Sequence, residues 1–106
     1  MNKQRRKEIY KLITKLQKVS AMHSNEEKIK ELEDIKDDVN LIMLEEEIYM
    51  DNIPENLQGG RRYSDAEDAC DNLYSAIDSL EDAIGNIDSM DEYISKAISY
   101  LNIASM

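Results

Sequence analysis

The chain is poor in the residues that break or staple a fold. Among 106 residues there is one Pro, one Cys, one His and three Gly, with no Trp and no Phe. A single cysteine, Cys70, excludes an internal disulfide and fits a reducing cytoplasm. Scarce Gly and Pro and 6% aromatics argue against a sandwich or barrel and for helices. No apolar run approaches the roughly 18 residues of a membrane span, and the basic N-terminus lacks the apolar core of a signal peptide. One histidine and one cysteine are too few for the usual nucleophile, base and orienting group.

What the chain has in quantity is charge. Charged residues make up 34%, and the net charge is −10. Residues 1–20 carry seven basic side chains against Glu8, a balance of +6. Residues 21–60 stand at −9 and residues 61–106 at −7. An acidic body repels nucleic acid and favours cationic surfaces, or it simply keeps the protein in solution.

Periodicity supplies the architecture. Ile9, Leu12, Ile13, Leu16 and Val19 recur at spacings of three and four, so residues 3–22 read as an amphipathic helix. Ile29, Leu32, Ile35, Val39 and Ile42 form a second stripe in 25–50. At about 100° per residue the two stripes differ in phase by more than a third of a turn, so they do not share one straight helix. The jump falls at "HSNEE", where Ser24 and Glu27 match a capping box, and it places a break at residues 21–25.

Residues 51–63 form a linker. Pro54 suits the first turn of a short helical piece, and Ile53 and Leu57 are spaced to close the end of the bundle. Gly59 and Gly60 let the chain reverse. Ser64 and Glu67 suggest a second capping box, opening a helix over 64–104. In that segment Ala66, Cys70, Leu73, Ile77, Leu80, Ile84, Ile87, Ile94, Ile98 and Leu101 hold one heptad register, interrupted only by Asp91. The preserved register argues for a single long helix, with Gly85 and "SMDE" marking a bend. The expected fold is all-α: an antiparallel helical hairpin or three-helix coiled-coil-like bundle in one domain. The shorter 25–50 helix would leave Tyr93, Ile94, Ile98 and Leu101 uncovered, which predicts self-association into a homodimer.

Few residues carry candidate chemistry. His23 reads as a helix-end residue and Cys70 as a small seam residue. No Glu stands three residues before His23, as a di-iron helix bundle would need, and "DNIPEN" lacks the calcium-loop pattern. "QGG" is no phosphate loop, so no metal or cofactor is expected. The run Glu45, Glu46, Glu47 is either a solvated helix face or a row of carboxylates that meets Lys and Arg of a partner. Asp51, Glu55, Asp65, Glu67, Asp68 and Asp71 should gather at the same end. Arg61 and Arg62 neutralise that end or anchor an interface, and Tyr63 suits either setting. The basic N-terminal run suits contact with nucleic acid or anionic lipid, and the more economical expectation is that it docks on acidic helices of its own fold or of a twin chain.

The stretch "EEEIYMDNIPENLQGGRRYSDAEDACDNLYSAIDSLEDAI" resembles small acidic helical proteins from phages and prophages of Gram-positive bacteria. The resemblance rests on Asp51 to Gln58, on the helix from Leu73 to Ile84, and on the opening "MNKQRRKEI". It implies a helical hairpin and a phage setting, with no defined activity. Small non-enzymatic phage proteins are often inhibitors of host defence, including anti-CRISPR proteins. The expectation is therefore a cytoplasmic, non-enzymatic protein that blocks a host nucleic-acid-binding protein such as a CRISPR nuclease. It would not bind nucleic acid through its acidic body and would not bind a membrane. The alternative is a self-assembling structural or adaptor protein.

Overall fold

The computed structural model describes residues 1–106 and contains helices and no strands. Helix α1 spans Lys3–Val19, α2 Asn25–Asp51, α3 Arg61–Gly85 and α4 Met90–Ala104. Short 3-10 turns at Glu55–Leu57 and Ile87–Ser89 precede α3 and α4. Helices adjacent in sequence pack together, and α1 closes the ring on α4. The result is an up-down-up-down four-helix bundle, 51 Å long and 22 by 18 Å across.

The expected break after α1 is present. The last predicted turn, 20–22, unwinds into turns in which Ala21 N donates to Lys18 O and Met22 N to Val19 O. Ser24 then adopts an extended conformation, and its hydroxyl accepts from Glu27 N at 3.1 Å. That bond satisfies one of the orphan donors at the start of α2. At the other end Pro54 cannot extend the helix, and Leu57 N donates back to Pro54 O at 2.8 Å. Ile53 is buried and closes the core as expected, whereas Leu57 faces outward.

Two expectations fail in the second half. Ser64 is not a cap, because α3 starts three residues earlier behind an extended Gly60. A Cβ at Gly60 would stand 3.2 Å from Leu57 O, so glycine eases the reversal here. The predicted helix 64–104 is two helices. Asn86 leaves helical geometry at φ −134°, ψ 79°, and α4 folds back along α3. The predicted seam holds in part: Ala66, Cys70, Leu73, Leu80, Ile94 and Leu101 are buried, Ile77, Ile84 and Ile98 are half-buried, and Ile87 is exposed. The spacing crosses the break because a hairpin whose two arms both face inward repeats it. Register reports which face is buried and says nothing about continuity.

Folding back also settles what covers the C-terminal ridge. Ile94 and Leu101 join the core with Leu73, Ala76, Leu80 and Ala83, and Tyr93 and Ile98 pack against it part-buried. The expectation that Tyr93, Ile94, Ile98 and Leu101 form a self-association seam is corrected on this ground. The seam is alanine-rich: Ala69, Ala76 and Ala83 recur every seven residues on α3, as do Ala97 and Ala104 on α4. Small side chains let the two axes approach closely.

Substituting Ser24→Ala should cost about 1 kcal/mol of stability, read from the shift of the urea midpoint at unchanged slope.

Candidate functional site

The beginning of α1, the end of α2, the beginning of α3 and the end of α4 meet at one end of the bundle. This follows from the antiparallel ring and from direct contacts between them. The acidic run 45–51 and the basic run 3–7 therefore share that end. The basic helix folds back on its own chain, one of the two arrangements expected for it.

Glu46 is the centre of this end. It is fully buried, and its Oε2 accepts from Arg5 Nε at 2.7 Å. The Met1 ammonium stands 3.8 Å from Oε1, which accepts no hydrogen bond. The Arg5 side chain is itself only 11% exposed. A buried carboxylate is tolerable only when paired, and the 2.7 Å charge-assisted bond supplies the pairing. Glu46 was expected to contact a partner; the structure corrects this. It continues the buried row Leu32, Ile35, Val39, Ile42 at a spacing of four, so helix geometry turns it inward. That spacing was visible in the sequence, and it is the signal that separates Glu46 from its two neighbours.

The other expected partner residues fall into place around this pair. Glu45, Asp51, Glu55, Asp65 and Asp68 are exposed, and Glu47 and Tyr63 are partly buried. Arg61 lies 3.6 Å from Asp65 in a solvent-exposed pair within one turn of α3, worth little to stability. Arg62 donates from Nε to Tyr49 OH at 3.1 Å, and the guanidinium groups of Arg5 and Arg62 each lie 5.7 Å from the Tyr49 ring centroid. Tyr49 thus sits between two cations, and its negative ring face favours both. Arg6 Nη2 reaches Met106 O at 3.5 Å. A cleft of about 340 Å³ beside Arg6 is lined by Arg61, Asp65 and Asp68 as well as by Ile103 and Met106. Its lining mixes both signs of charge with apolar groups, and it converges no nucleophile and base on one point.

Cys70 lies on the same end of α3, buried. Its thiol is pushed up from 9.0 to about 11, first by burial and then by the negative fields of Glu46, Glu47, Asp71 and Asp51. A thiol held protonated is a poor nucleophile. His23, in the α1–α2 turn, is at the opposite end of the bundle, so it cannot serve as its base. No group of three or more His, Cys, Asp or Glu side chains is arranged to hold a metal ion, and no helix is long and apolar enough to cross a membrane.

Glu67 and Asp71 were expected at the charged end with Asp65 and Asp68, whereas Asp78 and Glu81, farther along α3, carry no signal of their own. From Tyr63 to Ser95 the chain has ten Asp and Glu residues and no Lys, Arg or His. Glu67, Asp71, Asp78 and Glu81 are exposed and recur at spacings of four, seven and three, on one side of the helix. None has a cationic partner within 4 Å. Exposed Tyr74 stands in the same row. The signal for the rest of the row is the absence of any cation over 33 residues.

Two measurements check this description. Glu46→Ala should lose about 3–5 kcal/mol, because it strands a largely buried Arg5, while Glu45→Ala should stay within about 0.5 kcal/mol. For Cys70 the folded pKa lies above the unfolded one, so the folded state holds the proton more tightly. Its contribution is fully present below about pH 9 and is lost as pH rises through about 11. The alkaline fall in stability should be shallower in Cys70→Ala, measured by denaturant unfolding across pH 8–11. Comparison with known protein families, with curated proteins and with solved structures finds no match for this chain.

Proposed function

We propose that the protein is a non-enzymatic binder of a cationic protein surface, one that otherwise holds nucleic acid, and that it acts by occupying that surface. The observation that carries this reading is the α3 row of Glu67, Asp71, Asp78 and Glu81, exposed, without ion-pair partners, and on one continuous 25-residue helix. The row is joined by Glu45, Glu47 and Asp51 at the end of the neighbouring α2. Two rods bearing carboxylates present fixed negative charge, and the α3 row from Glu67 to Glu81 alone extends over about 21 Å. Nucleic-acid-binding proteins neutralise backbone charge with Lys and Arg, and a rigid carboxylate surface competes for the same side chains.

Rigidity matters as much as charge. A disordered acidic tail loses conformational entropy on binding, whereas carboxylates on a packed helix are already in place. Exposed Tyr74, set within the row, adds the kind of aromatic contact that anchors interfaces. The phage resemblance of residues 45–84 sets this in host defence: a nuclease such as a CRISPR effector, in the cytoplasm of a bacterial cell, is the partner class we put forward.

The test is capture of partners from bacterial lysate on the immobilised full chain, with an Asp71→Lys, Asp78→Lys, Glu81→Lys variant alongside. Retained proteins should be nucleic-acid-binding, should elute as salt rises, and should be displaced by an oligonucleotide. The variant should lose them while its circular dichroism remains helical. Retention by the variant equal to that of the wild type would remove the proposal. Glu46 is left out of the variant because its replacement would unfold the end of the bundle.

A further inference from the structure

The outer face of α2 carries apolar side chains that no element of the fold covers. Leu41, Leu44 and Ile48 are 58%, 43% and 61% exposed. They follow one another at spacings of three and four, on the side of α2 opposite the buried row of Ile35, Val39, Ile42 and Glu46. A continuous stripe of this kind marks an interface, whereas isolated exposed leucines would not.

The surroundings of the stripe say what covers it. Residues 37–60 contain seven Asp and Glu residues and no Lys, Arg or His, so the occupant must be cationic. Only Glu46 of these seven is neutralised within the chain. The same molecule carries the complement. Lys3, Lys7, Lys11, Lys15 and Lys18 are exposed along α1, and none has a carboxylate within 4 Å. Between α1 and α2 runs a groove of about 380 Å³ lined by Lys11, Lys15 and Leu12 on one side and Asp38, Leu41 and Glu45 on the other. Unspent cations and an acid-flanked apolar stripe therefore stand side by side on one face.

A surface with adjacent complementary halves matches itself about a two-fold axis. We propose that the α1–α2 face binds a second copy of this chain. Each α2 stripe meets its twin, and each α1 lysine row lies over the carboxylates flanking the partner's stripe. This dimer rests on other observations than the function put forward above, although both draw on the carboxylates at the end of α2. It also stands in place of the C-terminal seam that the sequence suggested, of which Ile94 and Leu101 are spent in the core.

Sedimentation equilibrium of the full chain at low and high salt tests the inference. A dimer is expected, weaker at high salt. Leu44→Glu should raise the dimer dissociation constant by at least about 30-fold with helicity unchanged. Lys7→Glu with Lys11→Glu should weaken the dimer too, and adding Glu45→Lys to that pair should recover part of the loss. The surface lysines keep the test open if the Leu44 variant misfolds. A monomer at both salt concentrations would overturn the proposal, whether the stripe is empty or serves a cationic segment of another protein. So would a dimer indifferent to both sets of variants. Because lysate capture through α3 is read separately, either idea can fail alone.

Discussion

A carboxylate shut away from water needs a cation, and in this protein the cation is Arg5. The Glu46–Arg5 bond ties the start of α1 to the end of α2 at the one place where the acidic chain would otherwise repel itself most. The short turn between α1 and α2 makes the two helices antiparallel, and the bond fixes the far ends of that hairpin to each other. One flank of α2 then receives a basic helix and the other receives an acidic one. The bundle is polar across its width as well as along its sequence. Which carboxylates remain available to a partner is fixed by this pairing: Glu46 is consumed, while Glu45 and the α3 row are not.

Hydrophobic burial sets the frame within which the pairing works. Eighteen buried residues from all four helices form one cluster, and alanines line the α3–α4 seam. That seam is thin, so the core draws on length rather than width. Tyr49, held between Arg5 and Arg62, then links three helices at the charged end through its ring and hydroxyl. One polar cluster thus caps one continuous apolar core, at the end where the chain reverses at Gly60.

Much of the frame was legible from residues alone, and the reasons are physical. The break before α2 was readable because an apolar stripe cannot change phase within a straight helix, and Ser24 marked where it did. Ile9 through Val19 and Leu32 through Ile42 are buried as their spacing requires. The join at 86–89 was misread because both arms of a hairpin obey the same period, leaving only Gly85 and Asn86 to announce the reversal. Glu46 was misassigned by residue type against its position, since a charged side chain at a buried register is rare unless paired. Glu67 and Asp71 were legible at the charged end, but their continuation through Asp78 and Glu81 has no motif, and only the missing counter-ions give it away.

The ring order of the helices has a kinetic side. Three of the four helix contacts join neighbours along the chain, bridged by short turns, so most native encounters close small loops. Only the docking of α1 on α4 spans the whole polypeptide. Topologies dominated by such local encounters fold in microseconds to milliseconds. A chain emerging from the ribosome can assemble each hairpin as it appears, with the final closure deferred until α4 has been made.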